Sequence, residues 1–329
     1  MFEETAARRG LANSGIVEKD FWVCWTLSRL YSIPSMPRLL FKGGTSLSQC
    51  FGLIHRFSED IDLGIEREDV GLVDDLDPMA QSTRSGCQRA VKAMRAKLYE
   101  RVAETLFPSI EADFQAALDG LDFRLHPPEA SGGEPTIRFE YPWAFETSGY
   151  SENDYVAPTV QLELGARADH EPVRTVAIRS YAAEEFGADF KEPECTVTVQ
   201  GPERTLLEKA LIIHEAIHKG RIKGRSSRHA YDLAMMHRDA GTMAAVSREL
   251  YERVARHTFV FGDNKKVGDA PREGIRLVPE GALLDDLEAD YRAMQPMFFT
   301  EPAAPSFEEV LDGLRQLEEA LNALGASNL

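Results

Sequence analysis

Asp60 and Asp62 stand two residues apart in Ser58-Glu59-Asp60-Ile61-Asp62-Leu63, among apolar neighbours. Side chains alternate faces along a strand, so this spacing puts both carboxylates on one face and Ile61 and Leu63 on the other. Two acids held that close repel each other, and strands disfavour Asp. The pair costs stability unless a cation lies between the carboxylates, so divalent metal binding is the chemistry it suggests. A short distance upstream, Phe41-Lys42-Gly43-Gly44-Thr45-Ser46 reads as a strand end, a tight glycine turn and a helix start. Thr45 or Ser46 is placed to cap that helix. A helix start offers free N–H groups and the positive end of the helix dipole, which suits phosphate.

A third acid, Glu163, lies in Val160-Gln161-Leu162-Glu163-Leu164, with Asp169 a nearby competitor. Three carboxylates beside a phosphate-holding turn fit two-metal phosphoryl or nucleotidyl transfer, with Mg2+ (or Mn2+) as cofactor and a nucleoside triphosphate as substrate. In that scheme Asp60 and Asp62 hold the metals. Glu163 holds the metal at the attacking hydroxyl and takes its proton. The Gly44–Ser46 turn holds the β,γ-phosphates, and a lysine such as Lys209 offsets their charge.

These residues need particular elements to hold them. The spacing predicts an amphipathic helix over 14–32, with Ser14 as its cap and Glu18-Lys19-Asp20 as a solvated face on its first turns. A short strand over 38–42 leads through the glycines into a helix ending near Phe51. A second strand covers Phe57 to Ile65. Residues 66–120 read as a helical insert with a solvated acidic loop (Asp69, Asp74, Asp75, Asp77). A helix within it carries Arg84, Arg89, Lys92, Arg95, Lys97 and Arg101, one candidate basic surface. Strands are expected at 136–141, 155–165, 173–181 and 196–199. Pro202 then starts a helix running to about Lys219. The basic stretch Lys219, Arg221, Lys223, Arg225 and Arg228 is a glycine- and serine-containing loop, followed by a helix over 228–238. Further helices are expected at 240–257, 281–294 and 306–324, with a polar linker at 262–280.

A chain of 329 residues can bury a large core and is expected to form two domains. With 43% hydrophobic and 28% charged residues, it has the composition of a globular protein. The net charge of −17 argues against a surface that is basic throughout, so contact with RNA would need a local patch such as 219–228. No apolar run approaches the roughly 18–20 residues of a membrane span, and Met1-Phe2-Glu3-Glu4 does not open a secretory signal. Cys24, Cys50, Cys87 and Cys195 form no Cys-x-x-Cys pair. Reduced thiols in a cytoplasmic protein are expected.

The glycine turn, spacer and Asp-x-Asp strand resemble the DNA polymerase β-like nucleotidyltransferases. More narrowly, Phe41-Lys42-Gly43-Gly44-Thr45-Ser46-Leu47 with Arg56-Phe57-Ser58-Glu59-Asp60-Ile61-Asp62-Leu63 resembles the AbiEii/AbiGii toxin family. Glu18-Lys19-Asp20-Phe21, Glu208-Lys209 and Arg228-x-x-Tyr231-Asp232-Leu233 extend the likeness. The resemblance implies an α+β fold: a nucleotidyltransferase-like mixed sheet flanked by helices over 1–201, and a helical C-terminal region over 202–329. It implies a toxin of a toxin–antitoxin or phage-defence system, with a cognate antitoxin as partner. It adds Asp232 to the nucleotide site, orienting Lys209 or a base, and places Arg56 and Ser58 at the turn or on phosphate. By the same analogy the acceptor hydroxyl belongs to a tRNA 3′ end. The alternatives are NMP or phosphoryl transfer onto a protein acceptor, and an NTP-sensing module without catalysis.

Overall fold

Among the described residues, seven strands form one mixed sheet: β1 (Leu39–Lys42), β2 (Ile61–Ile65), β3 (Arg124–His126), β4 (Thr136–Glu140), β5 (Thr159–Gly165), β6 (Val173–Ile178) and β7 (Cys195–Gln200). This computed structural model describes residues 1–11, 13–58, 60–73, 76–129, 133–144, 158–169, 171–222, 224–262, 264–298 and 304–326. The order across the sheet is β3-β4-β5-β2-β1-β7-β6. β2 runs antiparallel to β1 and parallel to β5. Register sets Lys42 opposite Asp62, and Asp62 opposite Glu163. The period of two then sends Phe41, Ile61, Leu63, Leu162 and Leu164 to one face, all buried, and Lys42, Asp62 and Glu163 to the other.

Helices cover the apolar face. α1 (Phe2–Arg8) packs on α2 (Ser14–Ser32), which supplies Trp22, Leu27 and Leu30 to the core. Asn13, not Ser14, caps α2, its side chain accepting from the Gly15 N–H at 2.7 Å. α3 (Gly43–Gln49) follows β1. α4 (Arg84–Arg101) and α5 (Phe107–Ala117) add Met94, Leu98, Ile110 and Phe114 to the same core, so the expected insert is built into it. A π-helical turn, Val102–Leu106, joins the two where Pro108 cannot donate a helix hydrogen bond.

After α6 (Tyr181–Phe186), a second core begins at α7 (Pro202–His218) and α8 (Ser227–His237). It continues through α9 (Ala240–Ala245), α10 (Arg248–Gly262), α11 (Lys265–Glu273), α12 (Ala282–Ala293) and α13 (Phe307–Ala326). Leu206, Leu211, Leu233, Val254, Leu287 and Leu314 pack there together with Leu47 and Ile54. The segment between β1 and β2 therefore joins the sheet to the C-terminal helices.

Several elements differ from expectation, and the helix expected over 240–257 is two, α9 and α10. β2 starts at Ile61 rather than Phe57, because the Phe57 N–H is drawn away to the Met297 carbonyl at 2.8 Å. β3 has only three residues and no apolar alternation to announce it. The expected linker at 262–280 contains α11, whose Val267 and Ala270 are buried in the second core despite Pro271 within the helix. Among the described residues, no helix is long and apolar enough to cross a membrane.

Candidate active site

The row Lys42–Asp62–Glu163 crosses three neighbouring strands beside the β1–α3 turn. Gly43 has φ +81, a left-handed conformation, and a Cβ there would overlap Asp62 Oδ2. A Cβ on Gly44 would lie 2.7 Å from Ser58 Oγ and 2.8 Å from Arg56 Nη2. The turn thus fits directly against a carboxylate, a hydroxyl and a guanidinium. Thr45 and Ser46 behave differently from expectation. Both side chains are buried. Thr45 Oγ1 donates to the Asp60 carbonyl at 2.6 Å, and Ser46 Oγ to the Gly43 carbonyl at 2.9 Å. They brace the turn and leave its backbone to face the cleft.

A cleft of about 260 Å³ gathers Asp60, Asp62 and Glu163 with Lys42, Gly43, Gly44, Arg56, Ser58 and Lys209. Burial, then the charges of Asp62 and Asp60, push the Glu163 carboxyl up from 4.5 to about 7, against the pull of Lys42. A hydrogen bond with Asp62 acts in the same upward direction. The donor set consists of carboxylate oxygens, which suits a hard divalent cation such as Mg2+, and the mutual repulsion is what a cation relieves. Among the described residues, no three acidic, imidazole or thiol side chains are drawn together closely enough to hold an ion. The competitor Asp169 lies outside this cleft, paired to Arg204 at 2.9 Å and Arg253 at 3.0 Å.

Asp232 does not line the cleft. It is fully buried and ties the site together from behind. Arg56 grips it with two hydrogen bonds of 2.7 Å, and Lys209 Nζ lies 2.9 Å from Oδ2. Burial raises its pKa, but the two cations outweigh burial and hold the carboxyl well below the usual range. Through this triad α7, α8 and the 55–58 loop share one charge cluster.

Thr205, Ile212 and His229 also line the cleft and were not singled out from sequence, and Glu208, quoted there only as part of the Glu208-Lys209 motif, lines it too. Positions 205, 208 and 212 share the helix face of Lys209, so the i, i+3, i+4 pattern around that lysine was the available signal. Of the basic loop, Arg228 reaches the cleft, Arg221 and Arg225 are exposed, and Lys219 pairs with Glu215 at 2.8 Å. Lys223 lies outside the described residues. Glu18, Lys19 and Asp20 are buried, contrary to the solvated face expected of them. Lys19 and Asp20 line a second cavity of about 380 Å³ that shares Arg56 and Ser58 with the cleft. Asp20 accepts from Gln49 and from the Tyr181 N–H, and burial pushes its carboxyl up to about 7.

A mixed sheet with this glycine turn and acid row defines a nucleotidyltransferase-type cleft. Over residues 25–313 the chain matches the nucleotidyl transferase AbiEii toxins of type IV toxin–antitoxin systems, and it belongs to that family. Among solved structures it is similar to MenT4, a nucleotidyltransferase toxin from Mycobacterium tuberculosis H37Rv. That likeness has 19% identity over 98% of this chain and 99% of that one, with a TM-score of 0.47. It is also similar to JHP933 from Helicobacter pylori, with 14% identity over 95% and 99% and a TM-score of 0.38. No curated protein matches the chain.

Proposed function

We propose that the cleft binds a nucleoside triphosphate and transfers its nucleoside monophosphate to an acceptor hydroxyl. The observation that carries this reading is the row Lys42–Asp62–Glu163 set against the Gly43-Gly44 turn. Asp60, Asp62 and Glu163 are the groups that would hold Mg2+ or Mn2+ once the ion draws them together. Bound there, the metal supplies charge neutralisation and polarisation at the α-phosphate. The backbone of Gly43–Ser46 cradles the β,γ-phosphates, with Lys42 and Lys209 offsetting their charge. Arg56, fixed by Asp232, closes the phosphate end together with Ser58. The acceptor oxygen bonds to the α-phosphorus, the bond from that phosphorus to the β-bridging oxygen breaks, and pyrophosphate leaves. Glu163 takes the acceptor proton.

A tRNA 3′ end is the acceptor that family analogy favours, and Arg228 at the cleft edge supports it by linking the basic loop to the site. Incubation with Mg2+, each labelled NTP, and total tRNA or cell protein tests the reading. Label is expected on RNA and is expected to vanish in Asp60→Ala. Label on protein moves the acceptor, and label on neither leaves a nucleotide-sensing module.

A further inference from the structure

Two features of the cleft serve neither a triphosphate nor a metal ion. Ile212 is 41% exposed and lines the cleft one helical turn beyond Lys209. Its neighbours on α7, Leu211 and Ile213, are fully buried, so the helix had an apolar side to spare and Ile212 still faces the polar cleft. Across from α7, His229 in the first turn of α8 lines the same cleft. Its Nδ1 is buried and has no hydrogen-bond partner among the described residues. Buried polar atoms are nearly always paired, so an orphan on a ring that lines the cleft is satisfied if the ring turns that nitrogen to a ligand group.

The ring is also neutral at physiological pH. Burial, and then the charge of Lys209, push its pKa down to about 3. A neutral imidazole offers one donor and one acceptor nitrogen. An aliphatic platform beside a neutral donor–acceptor edge is what a flat heteroaromatic ring requires: its face packs on the platform, and its edge hydrogen-bonds. Phosphate has no apolar face, and a hard cation prefers the carboxylates. Of the parts that remain when a nucleotide is held by its phosphates at Lys209, the sugar and the base, only the base has a flat apolar face.

We propose that Ile212 and His229 form the base subsite of this cleft and take the nucleobase of the donor nucleoside triphosphate. The inference rests on the phosphate reading given under Proposed function. Ile212 supplies affinity without regard to base identity. His229 discriminates among bases, because each base presents a different pattern of donors and acceptors to the ring nitrogen.

The test is calorimetric binding of the full chain, with Mg2+, to the four α,β-methylene nucleoside triphosphates and to inorganic tripolyphosphate. Ile212→Ala should weaken the nucleotide analogues by roughly ten-fold, in line with the loss of the apolar contact of one isoleucine side chain, and leave tripolyphosphate unchanged. His229→Ala should compress the differences among the four bases, and His229→Gln, which keeps a donor and an acceptor, should restore part of them. An equal loss for tripolyphosphate and nucleotides would make the two residues structural supports and overturn the subsite. Unchanged analogue binding with a raised KM for the acceptor would place the acceptor's base there and overturn the donor assignment. Failure of the unsubstituted protein to bind either kind of ligand would instead sink the nucleotide reading itself.

Discussion

Glu163 is where the site's charge conflict becomes measurable. Its folded pKa, about 7, lies above the ordinary 4.5. The folded protein therefore keeps a proton that the unfolded chain sheds. The resulting stability is full below about pH 4.5 and is lost as pH rises to about 7. Above that, Glu163 is charged beside Asp62 and Asp60, and under the proposed reading a divalent cation would compensate. Mg2+ should therefore raise the Tm more at pH 8 than at pH 5.5. Glu163→Gln should raise the metal-free Tm at pH 8 and remove much of the metal increment, which separates this carboxyl from Asp20. An equal metal response at both pH values in the unsubstituted protein would contradict the assignment. Asp232 has the opposite sign. Its depressed carboxyl contributes stability above the ordinary 3.8, and that contribution is lost as pH falls below it. Asp232→Ala leaves Arg56 and Lys209 buried without their counter-charge, so about 3–5 kcal/mol should be lost in denaturant titration. The acids and glycines could be read from sequence because strand alternation and glycine turns are local rules. The Arg56–Asp232 grip joins residues 176 apart, and no local pattern reports such a pairing.

At the scale of elements, the β1–α3 turn is the most constrained feature of the site. Gly43 needs both its positive φ and the absence of a Cβ, since Asp62 occupies that space. Gly43→Ala should therefore cost about 1–3 kcal/mol of stability through backbone strain. It should also lower nucleotide transfer by about 100-fold or more, because displacing Asp62 disturbs the row Lys42–Asp62–Glu163. Full transfer activity in that variant would show that the turn does not set the site's geometry. Longer helices were legible: α2, α7, α8, α12 and α13 lie close to where periodicity and prolines place them. The failures share a cause. β3 and α11 are short, and tertiary contacts decide them: β3 pairs with β4, while Val267 and Ala270 anchor α11 in the second core. The burial of Glu18-Lys19-Asp20 was hidden for a related reason. A charged trio looks solvated until α6 and the 52–58 segment are packed over it, with the Tyr181 N–H and the Phe57 ring as its neighbours.

For the whole molecule the central tension is between a net charge of −17 and a polyanionic nucleoside triphosphate. Repulsion at long range must be overcome locally. Most cations of α4 are engaged nearby: Arg84 stacks on Phe259, Lys97 pairs with Glu100, and Arg101 bonds Thr105. The loop after α7 is better placed, because Arg221 and Arg225 are exposed and Arg228 opens onto the cleft. If this loop receives a single-stranded RNA end, each phosphate neutralised should contribute a slope of about −0.7 to log K against log salt. Three or four contacts then give about −2 to −3. An Arg221→Glu and Arg225→Glu double variant should flatten that slope and weaken acceptor binding. Tripolyphosphate affinity should stay near that of the unsubstituted protein, since neither residue lines the cleft. Filter binding of total tRNA across a salt series measures the first effect, and calorimetry the second. A flat salt dependence in the unsubstituted protein would remove RNA as the acceptor. Transfer would then go to a protein hydroxyl, whose approach does not depend on displacing counterions.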